Sequence, residues 1–164
     1  MTARRSVVSL HIALTAAAPV QNRDRVEAVA GRGLEGDRYF AGVGTYSRDP
    51  GSGRHVTLIE LEALEGLERD YGIAIAPGDS RRNIVTRNVP LNHLVGREFS
   101  IGNVRLRGTR LCEPCAHLEK LTEAGALRGL VHRGGLRTEI ISGGTIHIGD
   151  PITLLTGIAL KNTC

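Results

Sequence analysis

The sequence predicts a mainly β domain, barrel-like, with a few short peripheral helices. Three observations predict it. Short apolar or alternating segments follow one another along the chain, separated by turns that draw on 21 glycines. Only one segment carries a sustained helical period. Strand and helix do not alternate repeatedly, which sets aside a doubly wound parallel sheet. At 164 residues a single domain is expected, long enough to bury a real core. Aromatic residues make up only 3% of the chain, so that core must be built from Leu, Ile, Val and Ala.

Each element has its own signal. Arg5–Ala13 reads as a first strand. The apolar stretch after Arg4 and Arg5 faintly resembles a signal peptide, but Ser9 and His11 interrupt it and the alternation favours a strand. Ala16–Asn22, containing Pro19, reads as a loop, and Val26–Ala30 as a second strand. Residues 31–40, Gly-Arg-Gly-Leu-Glu-Gly-Asp-Arg-Tyr-Phe, mix glycine with charge. Glycine permits close backbone approach and arginine can hold an anion, although an ordinary surface turn has the same spacing. Ala41–Arg54 is rich in Gly, Ser and Asp and reads as a mobile loop long enough to act as a lid.

His55–Leu58 reads as a strand, and Thr57-x-x-Glu60 as a capping box. The helix after it carries Leu61, Leu64, Leu67 and Tyr71 on one face and is closed by Gly72. Ile73–Ile75 is extended, with a turn at Pro77-Gly78-Asp79. In Ser80-Arg81-Arg82-Asn83-Ile84-Val85-Thr86, two arginines and an asparagine feed straight into an apolar strand, a natural anion site or simply a solvated strand entry. Leu91–Val95 reads as a helical turn. Glu98–Ile101 and Val104–Gly108 flank Gly102-Asn103, a strong two-residue hairpin signal. Ala124–Leu130 reads as a short helix and His132–Leu136 as a basic loop. Glu139–Ile141, Thr145–Ile148 and Ile152–Leu155 read as closing strands, with residues 156–164 as a tail that carries Cys164.

The chemistry concentrates between Gly108 and Leu121, where Cys112 and Cys115 form a C-x-x-C pair preceded by Arg110 and followed by His117. Cys115–Leu121 reads as a short helix with Leu118 and Leu121 on one face and Pro114 in its first turn. Cys115 then lies at a helix N-terminus beside arginine, a setting that favours thiolate over thiol. A thiolate serves as a soft metal ligand or as a nucleophile. Other readings remain: two inert buried cysteines, or a zinc site completed by His117 and His132, whose fifteen-residue separation does not fit the common finger spacing.

Net charge is +4, and of the 21 basic residues only Lys120 and Lys161 are lysines. Guanidinium forks suit phosphate and carboxylate oxygens. Without a basic tail or aromatics for stacking, nucleic-acid binding is weakly supported. No apolar run approaches a membrane span. Three cysteines do not make a disulfide framework, and a cytoplasmic protein is expected.

Five motifs in order resemble one family. They are Gly-Leu-Glu-Gly-Asp-Arg (33–38), Arg-Arg-Asn-Ile-Val (81–85), Gly-Thr-Arg-Leu-Cys-Glu-Pro-Cys (108–115), His-Arg-Gly-Gly-Leu (132–136) and Gly-Gly-Thr-Ile-His-Ile-Gly-Asp (143–150). Together they resemble the MOSC domain, the C-terminal module of molybdenum-cofactor sulfurases, over about residues 6–155, as in a compact stand-alone bacterial member. The resemblance implies a β-barrel-rich fold and the molybdenum cofactor, molybdopterin. It implies Cys115 as the molybdenum ligand and catalytic residue. Asp37, Arg38, Arg81, Asn83, Thr109, Arg110, Cys112 and Gly135 are implied as cofactor-binding residues. Relatives that reduce N-hydroxylated compounds imply such a reductase acting on small molecules or nucleobases, with His117 or His132 as a proton donor. The alternative is a carrier of the cofactor, or of sulfur as a persulfide on Cys115. Those relatives have Lys-Ser after Pro-Val, where this chain has Gln21 and Asn22. They also have a larger N-terminal region, whose absence here leaves three expectations: a more exposed cofactor, a homodimer that encloses it, or no cofactor. No iron–sulfur cysteine set, flavin fingerprint or pyridoxal-phosphate motif is visible, so a separate reductase is the expected electron donor.

Overall fold

The structure, a computed structural model, describes residues 3–45, 47 and 55–155. The tail with Cys164 and most of the expected lid loop lie outside the described residues. Eleven strands and three short helices are present among those described. The strands are β1 (Ser6–Ile12), β2 (Gln21–Arg23), β3 (Arg25–Val29), β4 (Gly33–Leu34), β5 (Val56–Glu60), β6 (Ile84–Arg87), β7 (Glu98–Ile101), β8 (Val104–Leu111), β9 (Leu136–Ser142), β10 (Gly144–His147) and β11 (Ile152–Leu154). The helices are α1 (Leu61–Tyr71), α2 (Ala116–Leu121) and α3 (Ala126–Gly129). Single 3-10 turns cover Pro77–Ser80 and Leu91–Leu94.

Eight strands form one sheet in the order β11-β7-β8-β9-β5-β6-β1-β2, and β10-β3-β4 form a second. Every pairing is antiparallel except β5 with β6, which α1 joins as the crossover. The mainly β expectation holds, but the sheet does not close into a barrel. Its order ends at β11 and β2, and β1 meets the approach to β11 only through an isolated bridge between Ser6 and Pro151. Val7 N–H to the Asp150 carbonyl and Ile152 N–H to the Arg5 carbonyl flank that bridge.

The hairpin signal is met, with Ile101 opposite Val104 across the Gly102-Asn103 turn. The capping box is not. β5 runs through Thr57 to Glu60, α1 begins at Leu61, and Glu60 caps it without a side-chain hydrogen bond. Thr57 is held in the sheet between Arg137 of β9 and the Asn83 side chain, so tertiary pairing overrides the local pattern. Helix α1 buries Ala63, Leu64 and Leu67, whereas Tyr71 is exposed. Gly72 ends it in the left-handed conformation, as expected of a C-terminal glycine. Around Leu10, Leu58, Ile84, Phe99, Leu106 and Leu136 one aliphatic core fills the space between the sheets. A smaller one, with Ile59, Leu64, Leu67, Val85, Leu118 and Leu130, seats the helices, and Cys115 packs against it. No helix is long and apolar enough to cross a membrane.

Candidate functional site

A cavity of about 300 Å³ opens between the 38–45 segment, the entry to β6 and the turn after β8. Arg38, Tyr39, Arg81, Arg82, Cys112, Cys115, His117 and Arg137 line it, with Thr45, Thr57, Glu113, Pro114 and Leu118. This volume is at the lower end of the ~300–1,000 Å³ usual for small-molecule pockets.

Arg81 has the least ordinary backbone of this set. It follows the 77–80 turn with φ +62°, a left-handed conformation uncommon for a side chain other than glycine. Its Nη1 donates to the Ala18 carbonyl at 2.6 Å, while Nη2 is buried with no hydrogen-bond partner. Burial is the main cause that lowers its pKa, and the neighbouring Arg38 charge adds to it. Arg82 points to a different job. It is 8% exposed and donates to the carbonyls of Gly134 (2.8 Å), Cys112 (3.1 Å) and Ser80 (3.4 Å). The Cys112 N–H closes the same tie by donating to the Gly135 carbonyl at 2.7 Å. The cysteine turn is thereby fastened to the 134–135 backbone through carbonyls rather than acids.

Behind Arg38 stands Asp37, fully buried. Its carboxylate accepts from Ala13 N–H (3.1 Å), Tyr39 N–H (3.2 Å), Asn83 Nδ2 (3.3 Å) and Arg38 Nη1 (3.3 Å). Asn83 also accepts from Thr57 N–H and donates to the His11 carbonyl. Asp37 and Asn83 therefore brace the site from inside the protein. Arg38 stacks over the Tyr39 ring with its Cζ 4.8 Å from the centroid.

Cys115 is the N-cap of α2, half-buried at the cavity, as the sequence placed it. Pro114 precedes the cap and is not in the first turn. Leu118 is buried and Leu121 is exposed, so α2 buries a narrower face than expected. Cys112 is buried, and neither thiol is engaged in a disulfide. His132 N–H and Nδ1 both meet the Glu113 carboxylate, each at 2.7 Å, which commits that acid to the histidine. His117 Nε2 lies 3.4 Å from Thr45 Oγ1. Among the described residues, no group of three or more His, Cys, Asp or Glu side chains is placed to hold a metal ion.

Of the site residues expected from sequence, Arg38, Arg81, Cys112 and Cys115 meet at this cavity. Thr109, Arg110 and Gly135 do not line it. Thr109 Oγ1 donates to the Arg137 carbonyl, Arg110 is exposed on β8, and Gly135 packs its backbone against Leu58. Sequence reading missed Arg137, Tyr39 and Thr57. Arg137 stands opposite Arg110 in the β8–β9 ladder, a register that the linear chain does not display.

Fold and site together define a β domain with an arginine-lined, thiol-bearing cavity. Residues 45–153 match the model of the MOSC domain, and the chain belongs to that family, which is linked to molybdenum-cofactor binding. Solved structures with a similar fold include the YUAD protein from Bacillus subtilis, with TM-score 0.75, 18% identity and coverage of 93% of this chain and 97% of that one. YiiM from Geobacillus stearothermophilus has TM-score 0.70 at 14% identity, covering 94% and 77%. YiiM from Escherichia coli has TM-score 0.66 at 17% identity, covering 95% and 71%. At such identities the likeness is one of fold. No curated protein matches the chain in sequence.

The donor set fits the cofactor. Its phosphate and polar pterin ask for anion donors, which the cavity offers in four arginines, one with a buried unpartnered Nη2. Its metal asks for a thiolate, and Cys115 lines the same cavity.

Proposed function

We propose that this domain binds molybdopterin in the arginine pocket with Cys115 as the molybdenum ligand. In this reading it reduces N-hydroxylated small molecules or nucleobases. The observation that carries the reading is the meeting of Arg38, Arg81, Arg82 and Arg137 with Cys115 at one cavity. When bound, the cofactor supplies the two-electron redox chemistry, and the net reaction takes two electrons and two protons and converts an N–OH group to N–H plus water. Electrons come from a separate reductase.

Arg81 and Arg38 hold the phosphate, and Arg82 keeps the Cys112–Cys115 turn at its place against Gly134. Tyr39 and Pro114 wall the cavity, and His117 is the titratable imidazole on its lining that can hold a proton for the departing oxygen. His132 is a weaker choice for that role, because its Nδ1 is engaged by Glu113.

The test is metal and pterin analysis of protein purified from a host that makes the cofactor. Near-stoichiometric molybdenum and pterin are expected in the wild type. Cys115→Ser should lose the molybdenum and any N-hydroxy reductase activity while keeping the wild-type circular dichroism. A Cys115→Ser protein that retains metal and activity refutes the ligand assignment. A wild type without molybdenum, carrying a persulfide on Cys115, establishes the carrier reading instead.

A further inference from the structure

A second polar constellation shares no lining residue with the arginine pocket. It sits in a cavity of about 560 Å³ between β1, β2 and the 77–80 turn. Ser9 and His11 lie two apart on β1, and Asn22 of β2 stands directly opposite His11 in the ladder. Ser9 Oγ is 2.8 Å from His11 Nε2, and His11 Nδ1 is 2.8 Å from Asn22 Oδ1. An amide oxygen can only accept, so Nδ1 carries the ring proton. Nε2 then presents its lone pair to the Ser9 hydroxyl. This is the relation of nucleophile, general base and orienting group that defines a catalytic triad by geometry rather than by sequence.

The surroundings hold that tautomer and protonation state. Burial lowers the His11 pKa from 6.5, opposed by the Asn22 hydrogen bond and the Asp79 carboxylate. The imidazole is therefore in its basic form at neutral pH. Gly78 packs its backbone on the ring, and a Cβ there would lie 3.0 Å from Nδ1. Val20, Ala76, Pro77 and Ile148 give the cavity apolar walls.

We propose that Ser9, His11 and Asn22 form a second reactive site, in which Ser9 Oγ takes the acyl group of a small neutral ester. Ser9 Oγ attacks the carbonyl carbon while its proton passes to His11 Nε2. The ester C–O bond breaks, and the leaving alcohol takes that proton. Water, deprotonated by the same Nε2, then cleaves the acyl-serine and restores the hydroxyl and the free acid. Atoms and electrons balance with water as the only co-reactant.

The experiment treats the full chain with p-nitrophenyl acetate and locates the acetyl group by peptide mass mapping, which separates Ser9 from the reactive thiols. Acetyl-Ser9 is expected in the wild type and absent in Ser9→Ala. His11→Gln should slow acylation of Ser9 by about 100-fold or more, the usual range for losing a general base. Asn22→Ala, on the exposed strand β2, should slow it by at least about tenfold through loss of the ring tautomer. If buried His11 does not tolerate replacement, Asn22→Ala decides. A wild type that, quenched in acid during the reaction, holds no acetyl on Ser9 and releases p-nitrophenol no faster than Ser9→Ala, or an Asn22→Ala protein that acylates Ser9 at the wild-type rate, overturns the proposal.

Discussion

Arg81→Gly separates holding a ligand from holding the fold. Arg81 is left-handed at φ +62°, which costs an L side chain about 1 kcal/mol. Glycine removes that strain but loses about 0.5–1 kcal/mol of backbone entropy on folding, so the two terms nearly cancel. The Nη1 bond to the Ala18 carbonyl is lost, worth about 1.5–3 kcal/mol for a charged donor. The buried Nη2 without a partner is lost with it, which returns about 1–3 kcal/mol of desolvation. Stability should therefore stay within about 1 kcal/mol of wild type. Anion affinity should not. One charge-assisted contact to phosphate is worth about 1.5–3 kcal/mol, so its loss raises Kd by about 10- to 150-fold. Urea denaturation gives the first quantity, and calorimetric titration with inorganic phosphate gives the second. A variant that loses more than about 2 kcal/mol of stability yet binds phosphate as tightly as wild type would make Arg81 a strut and refute the argument.

Four further outcomes test the fold around the pocket. Gly135→Ala should lose about 3 kcal/mol or more, because a Cβ at φ +109° would stand 1.9 Å from the Leu58 carbonyl oxygen. Gly31→Ala, at φ +73° with nothing within 4 Å, should lose only about 1 kcal/mol in the same denaturation assay. Arg82→Met should cost about 1–3 kcal/mol of stability for each carbonyl left unpaired, seen as a lower urea midpoint at unchanged m-value, and should speed alkylation of Cys115 as its turn loosens. An unchanged midpoint contradicts the clamp. Burial, and next the Glu62 charge, raise the Glu60 pKa from 4.5. The folded state then binds the extra proton, so stability falls as pH rises through 4.5 and up to the raised value. Glu60→Gln should thus stabilise at pH 7 and have no such effect below pH 4.5, read from midpoints across a pH series.

The sequence showed most of the strands because their signals are local. Alternation marked β1, the Gly102-Asn103 turn marked β7 and β8, and glycine pairs marked the ends of β9 and β10. It misread Thr57 because S/T-x-x-E has the same appearance inside a strand as before a helix, and only pairing with β9 and β6 decides. It also missed how far β9 extends, since Leu136–Thr138 are strand only by virtue of opposing β8 and β5. The site was legible where the chain itself clusters chemistry, at Arg81, Cys112 and Cys115. Proximity in sequence misled at Arg110. It is exposed on β8, while Arg137, opposite it in the β8–β9 ladder, lines the cavity. Arg82 was visible in its motif, but its carbonyl partners come from the cysteine turn and the Gly134 loop and appear only on folding.

Those partners bear on how much positive charge the pocket keeps for a ligand. A buried arginine is usually neutralised by a carboxylate, and a pocket built that way has little charge left for a ligand. Here Arg38 pairs with Asp37 at 3.3 Å, and that acid is shared with two backbone amides and Asn83. Arg81 and Arg82 are oriented by carbonyl oxygens, which fix direction without cancelling charge. Glu113, the acid on the lining, is occupied by His132. Neutral acceptors thus aim the guanidinium groups while their positive charge remains for whatever enters. In the proposed function that charge is what meets the cofactor's phosphate, on the side of the cavity where Cys115 stands.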